Sequence, residues 1–201
     1  MEKRRFQLER EPGYVYFHGM RVANLAGEIV SLVSGEKDSF DPVLFTGALF
    51  HDIGKGFESH NDTGADIARS LLKNTCNDDE LDEIDRIVRF HCIRKHGLDL
   101  HEKILAVQDA DIIDHFGTQE IWLNFLHNSY HDRSQQSVLE WWRSDRFVKH
   151  IDELRGLVNL DVSKDLFEER LAYHEEFVSR FQLESEGGIP DGRFPDGVGR
   201  S

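Results

Sequence analysis

Apolar residues recur at spacings of three and four along almost the whole chain, and no stretch alternates convincingly with period two. This pattern predicts an all-α fold. The first helix spans residues 14–33, with Val22, Leu25, Ile29 and Leu32 on one face. His18 lies four positions before Val22 and points to the same side. Asp41-Pro42 opens the second helix, a capping aspartate followed by a proline at the first helical position. Leu44, Ala48 and His51 share its inner face, and Gly54 ends it. A third helix carries the stripe His60, Gly64, Ile67 and Leu71, with Gly64 permitting close helix approach. Asn77-Asp78-Asp79-Glu80 reads as a capping box ahead of Leu81, Ile84, Val88 and His91.

The next helix runs from Leu100 to Phe116, with Leu100, Ile104, Val107 and Asp111 on one face and Gly117 as its stop. Asp109 lies about 200° around that helix from Asp111, so the two cannot share the inward face. Asp111 is the one aligned with the apolar stripe, and Asp114 is close enough to brace it. Three more helices follow: residues 118–130; a stretch marked by Val138, Trp141, Trp142 and Val148; and one capped by Ser163 with Phe167, Leu171, His174, Val178 and Phe181 inward. After Glu184, glycines and prolines crowd together. Residues 1–184 therefore read as a single domain and 185–201 as a flexible tail. There is no internal repeat.

Composition narrows the partners. The 201 residues are 39% hydrophobic, with 14 Phe and 3 Trp, enough for one sizeable core. A formal net charge of −14 argues against a duplex nucleic-acid surface, which needs a dense basic face. It leaves room for a nucleotide, whose few phosphates a metal and one or two lysines can handle. Cys76 and Cys92 suggest neither a disulfide framework nor a Cys-rich zinc site. The basic start, Met1 to Arg5, is followed by no apolar segment, and no stretch approaches membrane-spanning length. The expectation is a cytoplasmic protein without a membrane partner, with homodimerisation left open.

Polar residues on inward faces carry the chemistry. His18, His51, His60, His91 and Asp111 all occupy such positions, and Asp52 joins them beside His51. A buried carboxylate is costly unless it is paired or bound to metal. Imidazoles and carboxylates together suit a divalent cation such as Mn, Fe, Ni, Zn, Co or Mg. Lys55 can set an ammonium beside a phosphate.

The order and context of these residues resemble a known family. Phe17-His18-Gly19-Met20-Arg21-Val22, the His51-Asp52-Ile53-Gly54-Lys55 motif, and Asp111 in the setting Asp109-Ala110-Asp111-Ile112-Ile113-Asp114 look like the H…HD…D signature of HD-domain metal-dependent phosphohydrolases. The resemblance covers residues 10–120 and implies a helical bundle of the HDIG type, similar to stand-alone bacterial members, with additional C-terminal helices. It implies metal ligation by His18, His51, Asp52 and Asp111. His60, ahead of Gly64-Ala65, and His91 resemble the added ligands of two-metal members; in one-metal members such residues contact substrate instead, so one or two ions remain open. The implied reaction is hydrolysis of a phosphate ester of a nucleotide or similar small molecule, as a phosphomonoesterase, phosphodiesterase or nucleotide pyrophosphohydrolase. Asp52 and Lys55 would be catalytic, and Lys55, Arg21 and Arg94 would contact the phosphate. Two rivals share the pattern: a di-iron oxygenase of HD type, and a non-catalytic module that senses a nucleotide.

Overall fold

The computed structural model describes residues 11–36, 40–94 and 98–190. Among them the chain forms nine helices and no strand. They are α1 (Tyr14–Ser34), α2 (Pro42–Phe50), α3 (His60–Leu72), α4 (Asp78–Phe90), α5 (Glu102–Asp114), α6 (Thr118–Tyr130), α7 (Gln135–Trp142), α8 (Asp145–Arg155) and α9 (Asp161–Ser185). None is long and apolar enough to cross a membrane.

Local chemistry sets several boundaries. Asp41 accepts hydrogen bonds from the backbone N–H groups of Val43 and Leu44 at 2.9 and 3.0 Å, so α2 starts where the sequence places it. The capping box of α4 is complete, with Asn77 and Glu80 each bonding the other's backbone N–H. Helix α5 is the hub. It packs against α1, α4 and α9, and Ile104, Val107, Ala110 and Ile113 join one continuous core with Val22 and Ile29 of α1, Leu44 of α2, and Phe167 and Leu171 of α9. Burying each large side chain of this kind stabilises by about 1.5–3 kcal/mol.

Several expectations change. The buried stripe of α1 runs through Val15, His18, Val22, Ala26 and Ile29, while Leu32 is exposed. In α3 the inward residues are Gly64, Ala65 and Ala68, and Leu71 is exposed. Small residues serve there because α3 lies close to its neighbour. Helix α5 is shorter than expected, starting at Glu102 and ending at Asp114. The stretch around Val138 to Val148 is two helices, broken at Arg143, because the Ser144 hydroxyl caps α8 through the Phe147 N–H. Helix α9 begins at Asp161, so Ser163 is inside it and buried rather than capping. The final turn of α9 reaches Ser185; residues 191–201 of the expected tail lie outside the described residues.

Two glycines bring the helices close enough to matter for chemistry. A Cβ on Gly19 would stand 2.5 Å from the Leu49 carbonyl oxygen, so only glycine lets α1 cross α2 there and set His18 beside His51. A Cβ on Gly54 would collide with the His60 carbonyl and the Gly64 backbone. Gly54 thus serves close approach rather than a left-handed helix stop, and it seats the start of α3 against the turn that follows α2.

Candidate metal centre

His51 follows the last residue of α2 and is fully buried. Its Nδ1 lies 2.7 Å from the Ala48 carbonyl, which can only accept, so Nδ1 carries the proton. The opposite nitrogen, Nε2, is buried with no hydrogen-bond partner. Asp52 Oδ2 and Asp111 Oδ1 stand 3.8 and 3.7 Å from it. His91 repeats the device at the end of α4: its Nδ1–H donates to the Val88 carbonyl at 2.6 Å, and its Nε2 faces Asp52 Oδ1 at 3.7 Å. His60 Nε2, at the first residue of α3, lies 3.8 Å from the same oxygen. Asp52 therefore turns one oxygen toward His51 and the other toward His60 and His91.

His18 is held from both sides. Its Nδ1 lies 2.7 Å from Asp114 Oδ2 and its Nε2 3.1 Å from Asp111 Oδ1. Tyr14 stacks on its ring. Burial works against a charged His18, but hydrogen bonds to Asp111 and Asp114 outweigh it and raise the pKa to about 9. Burial would likewise raise Asp111, yet His18 and His51 hold it well below the ordinary carboxylate range. Asp52 is held low against the effect of burial by His51 and Lys55. Burial and the nearby His51 push His91 down to about 4, leaving its imidazole neutral.

The donor set fits a divalent cation. His18, His51 and Asp111 each offer a donor atom within 4.8 Å of the others. The unpartnered Nε2 of His51 would be costly in a dry interior unless something fills the space before it. Carboxylates and imidazole nitrogens are the donors such a cation takes, and on binding it would displace the proton from the His18 nitrogen that faces Asp111.

The remaining candidates divide. Lys55 Nζ lies 3.0 Å from Asp52 Oδ2, with its side chain 38% exposed at the rim. Arg21, expected at phosphate, spends Nε and Nη2 on Asp114 at 2.8 to 3.1 Å. It thus fixes the carboxylate that orients His18. Arg94 donates to the backbone carbonyls of Gln108 and Leu157, at 2.8 and 3.3 Å, and braces the segment after α4 against α5. Asp109 does not share the Asp111 face, as expected, but it is fully buried. It accepts from the N–H groups of Asn159 and Leu160 at 2.8 and 2.9 Å and from the Asn159 amide at 2.7 Å, so it caps the approach to α9 from another helix.

Two neighbours were not singled out by sequence reasoning. His115 ends α5 with its Nε2 3.9 Å from Asp111 Oδ1 and its ring 5.0 Å from that of His18. Its position four after Asp111 on the same helix was the available signal. Cys92 offers a sulfur within 4.8 Å of donor atoms on His60 and His91. Its adjacency to His91 was the only sequence clue.

A family model described as HD domain matches residues 15–118. Comparison with curated proteins gives no match. Among solved structures, Bacillus subtilis YpgQ is similar with a TM-score of 0.57 and 25% identity over 87% of this chain and 88% of that one. YpgQ in complex with ADP gives a TM-score of 0.55 at 22% identity, covering 87% and 89%. An HD-superfamily hydrolase from Bacillus thuringiensis gives 0.63 at 19% identity, covering 90% and 91%.

Proposed function

The chain belongs to the HD-domain superfamily of metal-dependent phosphohydrolases, and from that premise we propose that it hydrolyses a phosphate ester of a nucleotide or similar small molecule. His18, His51, Asp52 and Asp111 would hold a divalent cation. The observation that carries this is the buried, unpartnered Nε2 of His51 facing Asp52 and Asp111. When bound, such a cation supplies Lewis-acid polarisation of a phosphoryl oxygen and a more acidic water.

The chain's own residues do the rest. Asp114 keeps the His18 ring in register, and Arg21 keeps Asp114 in place. Asp52, between the two groups of histidines, is the carboxylate positioned to accept a hydrogen bond from an attacking water. Lys55 at the rim neutralises charge that builds on the phosphoryl oxygens. His60 and His91 supply donors for a second ion or contacts to the substrate. A nucleotide is the favoured substrate class because the structurally similar YpgQ is known in complex with ADP.

The test is metal analysis of the purified protein together with a screen of phosphomonoesters, nucleotides and cyclic dinucleotides under each divalent ion. Phosphate release that stops with chelation supports the proposal. Nucleotide binding without turnover under any ion would support a sensing module instead. Oxygen consumption with substrate, by a di-iron centre, would support an oxygenase.

A further inference from the structure

Adjacent residues within a helix point about 100° apart and do not converge on one spot. His91 and Cys92 stand in the turn that follows α4, whose last residue is Phe90, and still offer donor atoms near one another. The turn brings the Cys92 sulfur within 4.8 Å of donor atoms on His91 and on His60, which arrives from the start of α3. His91 is 1% exposed, and with Nδ1 spent on Val88 its Nε2 lone pair is aimed at Asp52 Oδ1. That oxygen is 3.7 and 3.8 Å from the Nε2 atoms of His91 and His60. Donors on a tetrahedral ion with bonds of about 2.0–2.3 Å stand about 3.4 Å apart. The imidazole and carboxylate donors need to close by only a few tenths of an ångström, and the Cys92 sulfur must draw in from within 4.8 Å of the histidine donors.

We propose that Cys92 is a thiolate ligand in a second cation site, formed with His60, His91 and Asp52. The proposal rests on the metallohydrolase reading above and adds a ligand and a metal preference to it. Thiolate is a soft donor, so this site takes zinc, or another thiophilic ion such as cobalt, in preference to magnesium or manganese. On binding, the sulfur would give up its proton to solvent, and each imidazole would bind through a deprotonated ring nitrogen. Asp52 then serves both groups, one oxygen toward each.

The test uses the full chain, stripped of metal and reloaded with zinc or cobalt. Iodoacetamide labelling is read separately at Cys92 and Cys76 by peptide mass spectrometry. With two equivalents of zinc, Cys92 labelling slows by roughly tenfold or more, because a metal-bound sulfur is a poor nucleophile, while Cys76 is unchanged. Cobalt at two equivalents gives a thiolate-to-cobalt charge-transfer band in the near ultraviolet, and Cys92→Ser abolishes it. Labelling needs no substitution, so it decides the matter even if the variant fails to fold. If one or two equivalents bind while Cys92 reacts at its metal-free rate and no charge-transfer band forms, the thiolate site is wrong and the metallohydrolase reading stands. If no divalent ion binds at all, both fail.

Discussion

His51 and His91 share one device. Each ring donates Nδ1–H to the carbonyl three residues back, and each thereby turns its Nε2 toward Asp52. His18 is oriented differently, by Asp114 on its Nδ1. That hydrogen bond is the one most open to a clean test, because asparagine nearly matches aspartate in shape. Asp114→Asn removes the negative charge that steadies both the His18 ring and Arg21. Losing such an outer partner of a metal-binding histidine lowers metal affinity by about 10- to 100-fold. Titration calorimetry with manganese or zinc should show a weakening of that size in Asp114→Asn. Unchanged affinity would mean His18 does not depend on Asp114 for its placement.

Helix α5 shows what periodicity reveals and what it hides. The sequence separates Asp109 from Asp111 by the angle between them, and the structure keeps them apart. Calling one of them inward assumes a helix with a single buried face, and α5 is packed on several sides. Asp109 faces the start of α9 and Asp111 faces the histidines. The two variants should therefore fail differently. Asp109→Ala leaves the Asn159 and Leu160 N–H groups without their acceptor and should lower stability by about 3 kcal/mol in urea denaturation, with metal content per folded chain retained. Asp111→Asn should lose metal, and in chelator its denaturation midpoint should fall as well, because the ionised carboxylate that His18 and His51 favour is gone; metal content per folded chain is what separates the two variants. The reverse pattern would show that the two faces have been exchanged. Boundaries set by local chemistry, at Asp41-Pro42 and at Asn77 with Glu80, are legible in sequence because the caps lie within four residues of what they cap. The start of α9 is not, since its acceptor is fifty residues away on α5.

Across the molecule, the candidate centre draws on α1, on the segments just after α2 and α4, on the start of α3 and on the end of α5. The motif residues of that centre stand out in the sequence because ionisable groups on apolar faces are rare. Cys92 and His115 do not, because their roles depend on how chain turns converge. A cation bound among these elements ties them together and favours the folded state, contributing about 2.7 kcal/mol when present at a hundredfold excess over its dissociation constant. Chelation should accordingly lower the melting temperature, and re-addition of zinc or manganese should restore it; a melting temperature indifferent to both would leave the centre without a cation. The most direct test of the whole account is the rate of divalent-dependent phosphate release from a nucleotide panel by the parent and by Asp52→Ala, both checked for equal helicity. Asp52 faces both histidine groups and Lys55, while Leu44 and Ala48 pack the core independently of it. The account predicts that Asp52→Ala keeps its helices and loses both metal and phosphate release. Full phosphate release by Asp52→Ala would contradict it.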